Sequence, residues 1–190
     1  PGPGMIESVI EPVDVILRDG ATMRLRPPTA GDVEAIVAFF TGLRFQSRVL
    51  RFHGYAEAGD RFARTLADPD WVEKGALVGV LGEGDEERIV GIGNYVRLRD
   101  RHTAEAAFAV ADAFQRRGIG TRLVEQLSAR AAEHGIERLV AEVMPENAAM
   151  LGVFERVGFR TSRALEEGVV EVTFPIAPTE AYTARVDERD

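Results

Sequence analysis

The segment from residue 108 to residue 121 combines residue types that suit phosphate binding. It runs from an apolar strand, Phe108-Ala109-Val110, into a turn that reads Gln115-Arg116-Arg117-Gly118-Ile119-Gly120-Thr121. Apolar residues then recur at helical spacing, so the turn opens a helix, whose first N–H groups and positive dipole end attract phosphates. The two glycines lack Cβ atoms that would obstruct a pyrophosphate, and the two arginines add countercharge. We therefore predict a nucleotide diphosphate site; a simple tight turn with solvated arginines is the alternative.

Two glutamates lie inside segments that otherwise have the pattern of apolar strands. Glu105 lies within 104–110 among alanines and Phe108, and Glu142 lies within 139–144. A carboxylate in such a strand is expected to be partly desolvated, which raises its proton affinity and suits a general base. The alternative is a solvent-facing or edge position, which we favour for Glu142 but not for Glu105.

Other catalytic arrangements lack the residues that they need. The chain has no cysteine, which excludes thiol nucleophiles, disulfides and Cys-ligated metals. His53, His102 and His134 show neither metal-ligand nor triad spacing. The Gly91-x-Gly93 pair lacks the third glycine of a dinucleotide fingerprint, so we interpret both as strand glycines. The sequence therefore predicts no metal site.

Composition limits the partners that the protein can bind. The chain has 190 residues, and its 23 basic and 31 acidic side chains give a formal charge of −8. This charge opposes electrostatic binding to nucleic acid. No apolar run approaches the ~18 residues that span a bilayer, and no export signal is recognisable. We predict one cytoplasmic domain with no nucleic-acid and no membrane partner.

Hydrophobic periodicity predicts an α/β sandwich. Strands over 13–17 and 23–26 flank Asp19-Gly20, and a helix with Thr29 or Asp32 as its cap follows and ends near Gly42. Short helices over 47–54 and 56–66 precede a three-strand meander over 76–81, 89–98 and 103–110. A helix over 119–135, a strand over 139–144, a helix ending at Gly158 and a strand over 169–176 complete the order. This order predicts a mixed sheet with helices on both faces.

The glycine turn and a later motif resemble the GCN5-related N-acetyltransferase (GNAT) family. The later motif is Asn147-x-x-Met150-x-x-x-Phe154-x-x-x-Gly158-Phe159, and the likeness covers residues 15–176. The resemblance implies a mixed, mostly antiparallel central sheet that splays open between the fourth and fifth strands of the family fold. It also implies acetyl-CoA as cosubstrate, without a metal. The pantetheine arm would lie along Phe108, Ala109 and Val110, and the pyrophosphate would bind at 116–121. Gln115, Asn147 and Phe154 would also contact the CoA.

A second set of residues resembles the bacterial protein lysine acetyltransferases of that family. It comprises Ile16-Leu17-Arg18-Asp19-Gly20, Arg24-Leu25-Arg26-Pro27 and Ser47-Arg48-Val49-Leu50-Arg51-Phe52. Such enzymes acetylate the active-site lysine of AMP-forming acyl-CoA synthetases, above all acetyl-CoA synthetase. The resemblance therefore implies a protein substrate of this kind, and Arg44, Arg48 and Arg51 would steer an acidic partner surface.

Acetyl transfer to lysine needs a base, because an amine with a pKa of ~10.4 is almost wholly charged at neutral pH. We expect direct attack on the thioester in a ternary complex, with positioning supplying much of the rate. By resemblance Glu105 is the general base and Glu142, at a position that some N-terminal acetyltransferases use, is the runner-up. Phe154 stands where many members have a tyrosine that protonates the leaving thiolate. Water or another group would then protonate the thiolate, or no acid would be needed. Tyr95 could replace the missing tyrosine, but we favour the interpretation that it packs within its strand.

Two other functions stay open from the sequence. The acceptor would be a small-molecule amine or a protein N-terminus in one of them, and in the other the domain would sense acyl-CoA without turnover. We expect residues 1–12 to be an N-terminal tail that begins with residues added ahead of the natural start. Residues 13–177 would be the acetyltransferase domain, and 178–190 a tail or a linker to a missing domain.

Overall fold

In the part of the chain that the structure describes, eight strands form one sheet and four α-helices pack against it. The computed structural model describes residues 11–43, 60–143, 148–166 and 168–176. The strands are β1 (Val13–Ile16), β2 (Thr22–Arg26), β3 (Lys74–Leu81), β4 (Arg88–Arg97), β5 (Thr103–Val110), β6 (Arg138–Val143), β7 (Ser162–Glu166) and β8 (Val169–Pro175). The helices are α1 (Val33–Gly42), α2 (Asp60–Leu66), α3 (Ile119–Glu133) and α4 (Ala148–Val157).

The strand order in the sheet is β1-β2-β3-β4-β5-β6-β8-β7. All neighbours are antiparallel except β5 and β6, which run parallel. The predicted hairpin, meander and last strand are confirmed, as are the helices that became α1, α3 and α4. None of the described helices is long and apolar enough to cross a bilayer.

β7 was not predicted. It is the last strand in the sheet order, and its described side chains, from Ser162 to Leu165, are exposed. Leu165 itself is 69% exposed. Because β7 buries neither face, its sequence lacks the alternation of apolar and polar residues that marks a half-buried strand. The helix expected over 47–54 and the break at 145–147 lie outside the described residues.

Apolar residues cover both faces of the sheet. On one face Leu127 of α3 and Phe154 of α4 belong to a buried cluster with residues of β4, β5, β6 and β8. On the other face Ile36 and Phe40 of α1 share a second cluster with Val78 and its neighbours in β3 and β4. The predicted fold class, a mixed sheet with helices on both faces, is confirmed.

β5 and β6 start as partners and then part. Their ladder ends where Ala106 faces Ala141. Beyond that point β5 continues along β4 to Val110, and β6 continues along β8 to Val143. The sheet therefore opens into a wedge between the ends of these two strands, which confirms the predicted splay.

Helix α3 packs very close to β4 at Gly91. A Cβ atom on Gly91 would lie 2.9 Å from Ile119 Cγ2 and 2.9 Å from Leu123 Cδ1. Real side chains are not found at such distances, because protein interiors are close-packed and resist overlap. The strand role predicted for Gly91 is confirmed, and its missing side chain fixes how the first turns of α3 lie on the sheet.

A carboxylate fastens the end of β2 to the start of α1. Asp32 accepts hydrogen bonds from Arg26 Nη1 at 2.7 Å and Nη2 at 2.9 Å, and from the Thr29 N–H at 2.8 Å. The Asp32 side chain is only 13% exposed. Hydrogen bonding to the Arg26 guanidinium is the largest effect that holds the pKa of Asp32 below its usual range. Asp32, one of the two predicted caps, thus stabilises the turn before α1 by accepting the Thr29 N–H.

We expect Asp32→Asn to destabilise the fold by about 2 kcal/mol at pH 7, since charge-assisted hydrogen bonds contribute most when partly buried. A lowered native pKa stabilises the fold above the unfolded value of about 3.9. That contribution disappears as the pH falls through the native pKa, so the difference between variant and parent should shrink below about pH 4. Urea unfolding of both proteins at a series of pH values measures this difference in the free energy of unfolding.

The control is Asp14→Asn, which removes an exposed ion pair with Arg24 at 3.1 Å. Exposed pairs contribute little to stability, so this change should be nearly silent. Equal losses for the two variants, or an Asp32→Asn loss that does not depend on pH, would contradict the account.

Candidate active site

The wedge places the predicted strand residues beside an opening in the sheet. Phe108, Ala109 and Val110 lie beyond the last pair of the β5–β6 ladder and keep only β4 as a strand partner. All three are half-buried. Backbone groups on the side of β5 that faced β6 need partners, as any extended strand edge does. An extended, amide-containing chain could supply them by adding alongside β5.

The glycine turn forms the start of α3, as the sequence predicted. Gly118 has φ +89° and precedes Ile119, the first helical residue, and the Arg122 N–H donates to the Gly118 carbonyl at 3.1 Å. Arg116 also lies in the left-handed region, with φ +67°. A non-glycine residue rarely adopts that conformation, and such strain is found at functional turns. The N–H groups of the first helical turn precede the first intrahelical bond and are available for an anion.

Arg117 holds this turn against the β1–β2 hairpin. Its Nη1 donates to Asp19 Oδ2 at 3.0 Å, and its guanidinium lies 4.9 Å from the centre of the Phe114 ring. The Arg18 N–H also donates to the Arg117 carbonyl at 3.3 Å. Arg117 is thus part of the scaffold of the turn, whereas Arg116 and Gln115 are exposed.

Gly118 and Gly120 must be glycine for different structural reasons. A Cβ on Gly120 would lie 3.1 Å from Val153 Cγ2, so Gly120 allows α3 and α4 to pack closely. The missing Cβ thus has a packing role, and the pyrophosphate contact at Gly120 stays a prediction. A Cβ on Gly118 would meet nothing closer than Arg18 Nε at 3.8 Å, so the requirement there is the positive φ. Thr121, the last residue of the predicted turn, is 3% exposed.

Glu105 and Glu142 lie on the same face of the sheet, one on each side of the point where β5 and β6 part. Glu105 faces Val140 of β6 one pair before the ladder ends, and Glu142 follows Ala141, the last paired residue of β6. Both carboxylates are exposed. The expected desolvation of Glu105 is wrong, because side chains alternate along a strand and the buried neighbours Ala104 and Ala106 both point to the opposite face.

The two aromatic residues considered for thiolate protonation lie in the core. The Tyr95 hydroxyl donates to the Trp71 carbonyl at 2.8 Å, and burial raises the pKa of Tyr95 well above its usual value. The strand-packing interpretation of Tyr95 is thus correct. Phe154 is 1% exposed, with its ring 6.1 Å from that of Phe108. The structure therefore gives Phe154 a packing role in the core, in edge-on contact with Phe108.

Sequence reasoning missed a cluster of arginines beside the start of α3. Arg18, Arg117, Arg122 and Arg156 line a cavity of about 400 Å³. They come from the first hairpin, the turn before α3, α3 itself and α4, so no local spacing could have joined them. Among the described residues no group of three or more His, Cys, Asp or Glu side chains could hold a metal ion. His53 and Asn147 lie outside the described residues.

Comparison with known proteins identifies the family. Residues 45–159 match the model of the acetyltransferase (GNAT) family. The solved GNAT domain of S. lividans PAT is 34% identical with a TM-score of 0.78, over 86% of this chain and 96% of that one. The chain therefore belongs to the acetyltransferase (GNAT) family and has its fold.

Two curated relatives are named acetyltransferases. Acetyltransferase Pat of Mycolicibacterium smegmatis is 29% identical over 92% of this chain and 52% of its own length. Acetyltransferase PA5475 of Pseudomonas aeruginosa is 29% identical over 75% of this chain and 77% of its own. The chain thus spans about half the length of the first of these relatives. Both relatives are named as acetyltransferases, in agreement with the family of the chain.

Proposed function

We propose that this chain is an acetyl-CoA-dependent protein lysine Nε-acetyltransferase whose substrate is the active-site lysine of an AMP-forming acyl-CoA synthetase. The observation that supports it most is the position of Glu105, one residue before β5 and β6 part. A carboxylate at that point lies at the apex of the wedge, where a thioester laid along β5 would end. The cytoplasmic location and the domain boundaries stay predictions.

The cosubstrate would lie across the two features already described. Its pantetheine amides would pair with the edge of β5 at Phe108, Ala109 and Val110, replacing the strand partner that β6 no longer supplies. Its pyrophosphate would accept hydrogen bonds from the first turn of α3, beside the exposed Arg116. Asn147 stays a predicted contact of the CoA arm.

The chemistry would be direct transfer in a ternary complex. Glu105, directly or through one water, would take a proton from the lysine ammonium, and the neutral amine would attack the thioester carbonyl carbon. A C–N bond forms, the C–S bond breaks, and the second amine proton is lost to solvent or to the leaving thiolate. Neither Phe154 nor the buried Tyr95 can donate a proton there, so we assign protonation of CoA to water.

The open face around Glu105 supports a macromolecular acceptor. Val96, which pairs with Glu105 across β4 and β5, is 52% exposed. A lysine on a protein surface could reach a carboxylate on such a face, and the docked surface would exclude water. The relatives named Pat favour the same substrate class. Arg44, Arg48 and Arg51, the predicted steering residues, lie outside the described part of the chain.

Incubation of the chain and acetyl-CoA with a purified acyl-CoA synthetase tests the substrate. We expect one acetyl group on the active-site lysine by mass spectrometry, and no label on a synthetase in which that lysine is arginine. Turnover of free polyamines or aminoglycosides without labelling of a synthetase would favour a small-molecule acceptor. Acetyl-CoA binding with no turnover of any amine would indicate a sensing domain.

Glu105→Gln keeps the shape of the side chain and removes the base. We expect kcat to fall by ~10² to 10⁴ while the affinity for acetyl-CoA stays nearly constant. The loss should shrink at high pH, because more of the lysine is then neutral in solution. A radiolabel transfer assay against pH gives kcat, and calorimetry gives the affinity.

The matched control is Glu142→Gln, which changes a carboxylate on the same face just past the end of the ladder. It should keep near-normal turnover. If Glu142→Gln were the inactive variant and Glu105→Gln the active one, the base would be Glu142.

A further inference from the structure

The cavity beside the start of α3 has a charge opposite to that of the chain. Four of its eight lining residues are arginines, and none is acidic. The whole chain has a formal charge of −8. A cation-lined cavity of about 400 Å³ in an acidic protein attracts anions.

The first turn of α3 borders the same cavity. Gly118 and Thr121 are among its lining residues, and Ile119 is the first helical residue. The backbone N–H groups of a first helical turn have no acceptor within the helix, so they are available to an anion beside them. The cavity therefore combines the charge of its arginines with the donors of a helix start.

The four arginines come from different parts of the fold. Arg117 bonds to Asp19, and Arg122 Nη1 lies 3.3 Å from Glu125 Oε2, with both partners buried. Arg18 comes from the β1–β2 turn, with its Nε 3.8 Å from the place of a Cβ on Gly118, and Arg156 comes from α4. Guanidinium groups from several elements around one cavity suit an anion with several charged oxygens, such as a phosphate monoester.

We infer that this cavity binds the ribose 3′-phosphate of CoA, separately from the pyrophosphate. The inference rests on the proposed function, which places the pyrophosphate at the tip of α3. Gly118 and Thr121 belong to that tip and also line the cavity, so a second phosphate on the same nucleotide can enter it. A monoester carries nearly two negative charges at neutral pH, more than either pyrophosphate group. The cavity therefore selects CoA over its dephosphorylated form.

Calorimetry with acetyl-CoA and with acetyl-dephospho-CoA, which lacks only the 3′-phosphate, tests the inference. We expect the dephosphorylated ligand to bind the parent chain at least about tenfold more weakly. Arg18→Gln and Arg156→Gln should each weaken acetyl-CoA several-fold and leave acetyl-dephospho-CoA unchanged. The control Arg64→Gln, on the exposed surface of α2, should change neither affinity. Thermal melting of each variant confirms that it is folded.

The outcomes separate this inference from the proposed function. Equal affinities of the two ligands for the parent chain overturn the 3′-phosphate site and leave acetyl-CoA binding intact. Equal weakening of both ligands by the arginine variants also overturns it, because the arginines would then bind the pyrophosphate. Binding of neither ligand overturns the proposed function and, with it, the inference.

Discussion

The end of the β5–β6 ladder is the constraint on which the rest of the site depends. Two parallel strands that part after Ala106 and Ala141 leave backbone groups without a strand partner inside a sheet. The sheet tolerates the opening because β5 stays paired with β4, and β6 with β8. The Phe108 ring packs edge-on against Phe154 at 6.1 Å, and Phe154 packs at a tilt against Phe174 at 5.3 Å. Phe108 at the wedge is thus anchored in the aromatic core, and an added chain can satisfy the open edge of β5.

The position of α3 relative to that wedge depends on close contacts and one ion pair. Gly91 lets α3 lie against β4, and Gly120 lets α4 lie against α3. The Arg117–Asp19 pair ties the turn before α3 to the first hairpin. Together these contacts fix the helix start beside the wedge, so that one extended ligand can reach both. They also assemble the arginine cavity, because the hairpin and α4 supply its walls.

The sequence predicted those parts of the site whose signals are local. A strand that runs into a glycine turn and an amphipathic helix is readable from neighbouring residues, and Gly118 has the positive φ that such a turn needs. The direction of Glu105 was not readable, because alanines on both sides do not show which face of the strand is covered. The packing of Gly120 against Val153 was not readable either, because the two residues are 33 positions apart in the sequence. The arginine cavity and the exposed strand β7 likewise depend on long-range packing.

The central claim is that one CoA molecule lies along the edge of β5 and ends at the start of α3. Amide hydrogen exchange, measured with and without saturating acetyl-CoA, tests it most directly. The account predicts slower exchange at residues 107–110 and 119–121 in the complex, with no change in the edge strand β7. Saturated binding that leaves exchange at both segments unchanged would contradict it.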